Sequence, residues 1–173
     1  LYSITLSLSD KLDTLVGFFG LNLIPTGSRD PYALRRNTIG LVRLIVENKI
    51  RIKLRSIINY SLTLYKEQGY EFDITKVLKE LNNFILDRLK NYSKEKDIRA
   101  DIMESSILSN DIDDIYNGYK KAEILNRNIK KEIGINVVGI YKRSFNILNS
   151  EIIKNKIELS NSVDTGLFKN DFE

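Results

Sequence analysis

The sequence contains neither cysteine nor histidine. The absence of cysteine excludes disulfides and thiolate metal sites, and it is typical of proteins from a reducing compartment. The absence of histidine removes the commonest metal ligand and the commonest general base. No apolar run approaches the roughly 20 residues that a transmembrane helix needs. We therefore predict a cytoplasmic protein without a membrane partner.

The sequence motifs of the common nucleotide-binding and acyl-transfer sites are missing too. There is no Walker-type glycine loop and no G-x-S-x-G turn. Acids do occur in pairs, such as Asp10 with Asp13, but acids on the helices of soluble proteins usually cap helix ends or face solvent. We predict no catalytic residue, no bound cofactor and no metal ligand in this chain.

Positive charge is concentrated in one short region, which we call the basic stripe. From Arg29 to Arg55 there are eight Lys and Arg residues and two acids, a local charge of +6, whereas the whole 173-residue chain carries +4. A basic stripe in a nearly neutral chain indicates a polyanionic partner. The alternative is that these cations form only the solvated face of a helix.

Apolar residues recur at helical spacing almost everywhere, and strict alternation is rare, so we predict an all-α fold. The second helix is predicted to begin with Asp30 as its N-cap and Pro31 as its first residue, because proline loses no hydrogen bond there. Leu34, Leu41 and Ile45 lie on its apolar face, with Arg36 opposite. The other helices are expected near residues 8–19, 54–68, 74–96 and 100–108, then from Asp111 or Asp113 to 132, and at 137–149, with the start of one more at 164–173.

The chain is predicted to form two helical units, residues 1–70 and 71–173. The boundary is placed at Gly69–Asp73 because the chemistry changes there. The basic stripe precedes it, and a patch of acids follows it, at Asp101, Glu104, Asp111, Asp113 and Asp114. Since Leu1 is not a methionine and already belongs to a helical pattern, we interpret the chain as a piece of a longer protein.

Two linked motifs near the start resemble a known family. Residues 10–19 read DKLDTLVGFF and residues 25–36 read PTGSRDPYALRR. They are similar to the DKLDTLxGFF and PTGSKDPFALRR segments of the β subunit of bacterial heterotetrameric glycyl-tRNA synthetase, with Arg29 for lysine and Tyr32 for phenylalanine. Further along, FILDRL at residues 84–89, YKRSFNIL at 141–148 and VDTGLF at 163–168 also resemble segments of that family.

This resemblance implies a fold and a division of labour. Residues 1–70 would be the end of an HD-like helical domain, and residues 71–173 would be a connecting helix and an incomplete anticodon-binding helical domain, similar to that of arginyl-tRNA synthetase. The α subunit would form glycyl-adenylate with ATP and Mg²⁺ in an α2β2 heterotetramer. The β subunit would bind glycine tRNA, and this chain alone would be inactive.

Five residues are candidates for tRNA contact. Arg35 and Arg36 are the last two residues of the second motif, and guanidinium groups bind phosphate bidentately. Lys142, Arg143 and Asn146 lie opposite or beside the apolar stripe of the last helix, and an asparagine can bind a base edge. That stripe, formed by Val137, Tyr141, Phe145 and Leu148, is predicted to face inward, and Arg88 is predicted to form a buried ion pair.

Two other functions are compatible with the sequence. The Asp10 motif resembles the last metal-binding segment of HD-type phosphohydrolases, in which an aspartate and histidines hold a divalent metal. The chain has no histidine, so a structural aspartate is the favoured interpretation. Alternatively, the helices serve only as a scaffold that docks another subunit. Thr26, Gly27 and Ser28 present a similar choice between a phosphate-binding loop and a simple turn.

Overall fold

The computed structural model describes residues 2–108 and 113–155. Within these ranges the regular secondary structure is entirely helical, apart from one isolated bridge between Thr26 and Arg29. The predicted all-α fold is therefore confirmed. The helix predicted at 164–173 and Asp111 lie outside the described residues. The helices are α1 (Tyr2–Gly20), α2 (Leu34–Glu47), α3 (Leu54–Glu67), α4 (Ile74–Glu95), α5 (Ala100–Leu108), α6 (Ile115–Asn128) and α7 (Glu132–Asn155).

The chain divides into two compact units, the first ending at Arg127 and the second beginning at Asn128. In the first unit α1, α2 and α4 pack against one another, α3 packs on α1 and α4, and α5 packs on α4. Helix α6 joins this unit through the rings of Tyr92 and Tyr119, whose centroids are 5.8 Å apart. The first unit thus runs across residue 70, and the division of the chain into domains at that position stays a prediction.

The core of the first unit is built from the apolar stripes of its helices. Leu15 of α1, Leu41 and Ile45 of α2, and Leu81 and Ile85 of α4 are all 0% exposed. Burial of this much aliphatic surface is the main term that holds the helices together. The spacing of apolar residues in the sequence predicts that the buried stripe of α4 begins at Leu78, but its first buried position is Val77.

Helix α2 begins later than the sequence indicates. Pro31 lies in a turn, and Ala33, with a φ of 53°, precedes the first helical residue, Leu34. Asp30 still satisfies the free N–H groups of this helix. Its two carboxylate oxygens accept from the backbone N–H of Leu34 at 2.8 Å and of Arg35 at 3.0 Å. The predicted start at Pro31 is wrong because residues 31 and 32 form a turn before the helix. This turn places the Asp30 carboxylate over the free N–H groups at the start of α2.

We expect Asp30→Ala to lower the free energy of unfolding by about 1–2 kcal/mol, the usual loss when a helix cap is removed. Two backbone donors would lose their acceptor in a partly buried place. Urea denaturation of the 173-residue chain measures the change. Asp87→Ala is the matched control, because Asp87 is exposed to solvent and lies in the middle of α4, far from either helix end. Equal stability of the two variants would contradict the assigned role of Asp30.

The sequence predicts a break between the last two helices around Gly134, but the break lies earlier, between residues 128 and 132. Helix α6 ends at Asn128 and α7 starts at Glu132, so Gly134 is in the first turn of α7. A β-carbon on Gly134 would lie 2.3 Å from the carbonyl oxygen of Asn128 and 2.7 Å from Cα of Ile129. Glycine is required here because the chain folds back closely on the new helix, which explains why a residue that disfavours helices lies inside one.

The apolar stripe of α7 is not buried within the described residues. Val137, Tyr141, Phe145 and Leu148 are 60, 65, 48 and 42% exposed, so the prediction that they face inward is wrong for this structure. An amphipathic stripe is buried only against another element. In the second unit the structure describes just the turn after Asn128 and α7 itself.

Candidate nucleic-acid interface

Arg36 lies on the exposed surface of the first turn of α2. No side chain or carbonyl of the described residues forms a hydrogen bond or ion pair with its guanidinium group. Leu34 and Leu41 are buried in the core, and Arg36 lies on the opposite face of α2, which therefore points to solvent. Arg36 is thus an exposed cation on a rigid element, with its donors available to an external anion.

Arg35 is held by the preceding loop. Its guanidinium group donates to the carbonyl oxygen of Gly27 at 2.6 Å and to that of Arg29 at 3.5 Å. Within this loop the N–H of Arg29 donates to the carbonyl of Thr26 at 2.9 Å, and Gly27 has a φ of 54°. Residues 26–29 therefore form a turn that Arg35 ties to α2. The neighbouring Asp30 carboxylate already caps that helix end, which disfavours a phosphate at the same place.

The basic stripe and the acidic patch meet in the fold. Arg51 is paired with Asp114. Asp113 accepts from the backbone N–H of Leu54 and Arg55, at 2.9 Å and 2.7 Å, and so caps the start of α3. Part of the stripe's charge is thus neutralised within the protein. Regions that the sequence assigns to different domains are joined here by ion pairing and capping.

Two further arginines interact with helix α4. Arg43 is paired with Glu95 at 3.1 Å, with both side chains about half exposed. Arg88 lies with its guanidinium carbon 5.4 Å from the ring centroid of Phe84, and its buried Nε has no hydrogen-bond partner among the described residues. The prediction that Arg88 forms a buried ion pair is wrong for the described residues. The arginine packs on the ring of Phe84 instead.

One further cation, Lys11 of α1, is not indicated by the pattern of charge in the sequence. A β-carbon built on Gly40 of α2 would lie 3.1 Å from Cε of Lys11 and 3.7 Å from its Nζ. The lysine side chain therefore crosses the surface of α2 at the glycine. The signal in the sequence is Gly40 itself, since a glycine in the interior of a helix is unfavourable unless another group needs the space.

In the second unit, α7 places the other candidates on its surface. Lys142, Arg143 and Asn146 are exposed, and none of them forms a hydrogen bond or ion pair within residues 113–155. Tyr141 and Phe145 lie beside them with ring centroids 5.9 Å apart and planes inclined by 19°. Two cations and an amide on one solvent-facing surface are suited to phosphates and base edges.

Shifted pKa values occur at side chains that are paired or packed within the protein, away from these candidates. A hydrogen bond from Lys120 lowers the pKa of Glu123, and the same contact raises the pKa of Lys120. Burial raises the pKa of Tyr92, and the nearby Glu47 carboxylate raises it further. Pairing and packing account for these shifts, so they do not indicate a catalytic acid or base.

The described residues offer no metal centre. In residues 2–108 and 113–155, no three Asp or Glu side chains are close enough to hold an ion. Asp10 is exposed on α1, and the hydroxyl of Thr14 donates to its backbone carbonyl at 2.8 Å. In the same part of the chain, no helix is both long and apolar enough to cross a membrane.

A groove of about 540 Å³ lies between α1 and α3. Its walls are mainly aliphatic, and they include Asp13 but no lysine or arginine. Such a groove lacks the donors that the phosphates of a nucleotide need. The exposed cations of α2 and α7 are thus better suited to a polyanion than this groove is.

Comparison with known proteins gives a family assignment. The family model of the glycyl-tRNA synthetase beta subunit matches residues 1–108. The chain belongs to this family. It is 33% identical to the glycine–tRNA ligase beta subunit of Clostridioides difficile over 98% of the chain, and 35% identical to that of Cereibacter sphaeroides over 99%. The corresponding subunit of Ruegeria is 35% identical over 94% of the chain.

The family assignment confirms the resemblance predicted from the two motifs, and it favours the synthetase interpretation over an HD-type phosphohydrolase. The chain spans about a quarter of the length of the curated relatives it matches, at 23 and 24% for the first two. The relatives are named as subunits of a ligase, and this chain corresponds to about a quarter of such a subunit.

Proposed function

We propose that this chain supplies tRNA-binding surface to the β subunit of a glycine–tRNA ligase. The observation that carries the proposal is the set of exposed cations on α2 and α7 that have no partner among the described residues, in a chain of this family. Unpaired cations on rigid helices bind a polyanion with little reorganisation. Membership of a glycyl-tRNA synthetase family supports tRNA as that polyanion.

The candidates take different roles in this proposal. Arg36, Lys142 and Arg143 hold phosphates of the tRNA backbone, and Asn146 hydrogen-bonds a base edge in a loop. Arg35 is an oriented cation, because the carbonyls of Gly27 and Arg29 fix its position and leave its remaining N–H groups for phosphate. Phosphate contacts set affinity and register, whereas the base contact sets discrimination.

The chemistry belongs to the partner subunit in this proposal. The α subunit binds ATP and Mg²⁺ and forms glycyl-adenylate, and two copies of each subunit form an α2β2 enzyme in the cytoplasm. Residues 1–70 and 71–173 correspond to the end of an HD-like domain and to part of an anticodon-binding domain. The chain by itself has no aminoacylation activity, because glycine activation takes place on the other subunit.

We expect each of Arg36→Ala, Lys142→Ala and Arg143→Ala, made in the complete α/β enzyme, to weaken tRNA binding and charging while leaving adenylate formation nearly unchanged. Losing one phosphate contact should reduce the slope of log affinity against log salt by about one. Asn146→Ala should cost roughly 1–3 kcal/mol and relax discrimination at one nucleotide. Filter binding, aminoacylation and ATP–pyrophosphate exchange provide the three measurements.

The melting temperature separates this proposal from a purely structural scaffold. These four side chains are exposed, so their truncation opens no cavity, and melting should not change. Variants that charge tRNA normally would overturn the residue assignment. Variants that fail only because the enzyme melts at lower temperature would favour the scaffold instead.

A further inference from the structure

Lys11 and Arg36 come from different helices but reach the same surface. Gly40 is four residues after Arg36, so the two are neighbours on α2, just over one turn or about 6 Å apart along its axis. The Lys11 side chain passes over Gly40, with Nζ 3.7 Å from the position that a β-carbon would occupy. Helix α1 thereby brings an ammonium group next to the turn of α2 that carries Arg36.

The charges along this surface are not balanced. One turn beyond Gly40, Arg43 is paired with Glu95 at 3.1 Å. The next acid on this face, Glu47, accepts from the hydroxyl of Tyr92 at 3.5 Å. Lys11 and Arg36 have neither a hydrogen bond nor an ion pair within residues 2–108 and 113–155. The positive charge of the surface is therefore concentrated at its Arg36 end.

Two neighbouring cations that form no ion pair repel each other, and this slightly destabilises the free protein. The same arrangement favours a ligand that carries several negative charges close together, as the successive phosphates of a nucleic-acid strand do. Glycine at position 40 favours this arrangement of cations, because a β-carbon there would lie 3.1 Å from Cε of Lys11 and would push the lysine side chain away. The absence of a side chain at Gly40 thus leaves room for the Lys11 side chain to lie against α2.

We propose that Lys11 binds tRNA phosphate together with Arg36, as a two-cation clamp formed where α1 crosses α2 at Gly40. The proposal rests on the proposed tRNA-binding function and adds a residue to it. Lys11 is contributed by the DKLDTLVGFF motif at residues 10–19, and Arg36 closes the PTGSRDPYALRR motif at residues 25–36. The two motifs would then meet in one phosphate site.

The decisive variant is Lys11→Met, tested in the complete α/β enzyme. Methionine keeps most of the apolar stem that packs over Gly40 and removes the charge. We expect tRNA binding at low salt to weaken by roughly tenfold, as for one lost charge-assisted contact. The salt slope should fall by about one. ATP–pyrophosphate exchange and the melting temperature should stay unchanged, and Lys11→Arg should retain most of the binding.

Lys79→Met is the matched control, because Lys79 is exposed on the outer face of α4, away from the α2 contact. If Lys11→Met and Lys79→Met bind tRNA equally well while Arg36→Ala binds weakly, the clamp is wrong and the proposed function stands. If the unaltered enzyme shows no salt-dependent tRNA binding that Arg36→Ala reduces, the proposed function itself fails. Lower melting of Lys11→Met with an unchanged salt slope would assign Lys11 to packing only and overturn the clamp.

Discussion

Leu41→Ala should lower the free energy of unfolding of the 173-residue chain by about 2–5 kcal/mol, the range for a fully buried leucine. Leu41 is 0% exposed on α2, the helix that packs on both α1 and α4. Truncation removes apolar contacts and leaves a cavity that three helices cannot easily close. Denaturant unfolding followed by circular dichroism measures the loss. Charging should fall with it, because the surface that carries Arg36 loses its support.

Leu6→Ala is the control for this prediction. Leu6 is also on a helix but is 73% exposed, so the same truncation removes little buried area. Its stability should change by less than about 0.5 kcal/mol, as is usual for surface substitutions. If Leu41→Ala were as stable as Leu6→Ala, the packing of α2 against α1 and α4 would be incorrectly described.

The double variant Lys142→Ala/Arg143→Ala should produce the largest loss of tRNA affinity among the substitutions considered. Removing two phosphate contacts should reduce the salt slope by about two. At low salt the affinity should fall by roughly a hundredfold, at about tenfold for each contact. Both side chains are exposed on α7 and have no partner within residues 113–155, so the helix itself should be unaffected. Filter binding across a salt series with the complete enzyme measures both effects.

The same change in net charge can be made elsewhere as a control. Lys66→Ala/Lys79→Ala removes two exposed lysines from α3 and α4. It should lower affinity only slightly, through the long-range field. Equal losses from the two double variants would mean that tRNA responds to overall charge and not to a surface on α7.

The sequence by itself determined the helices and the family. Helical periodicity is a local property, so the apolar stripe of α1 and the buried face of α2 could be identified from spacing alone. Two adjacent motifs of 10 and 12 residues were long and specific enough to indicate the family. Helix ends were less predictable. The start of α2 was placed at Pro31, because the extra turn that brings Asp30 to the N–H of Leu34 cannot be seen in a pattern of residue types.

The candidate site was predictable only in part. The exposure of Arg36 follows from its position opposite Leu34 and Leu41, and the structure places it there. Arg35 has the same residue type and the adjacent position, yet its guanidinium group is held by two loop carbonyls. The difference arises because the loop before α2 places its carbonyl oxygens beside Arg35 and not beside Arg36. The periodicity of apolar residues carries no information about the path of that loop.

Only the tertiary structure decided which charges are neutralised and which remain for a ligand. Arg51 is paired with Asp114, 63 residues later, and Lys11 reaches Gly40 of another helix. The apolar stripe of α7 is exposed among the described residues, although its spacing in the sequence is that of a buried face. The physical reason is the same in each case. Local spacing sets which face of a helix is apolar, whereas the pairing of a side chain depends on which other element packs beside it.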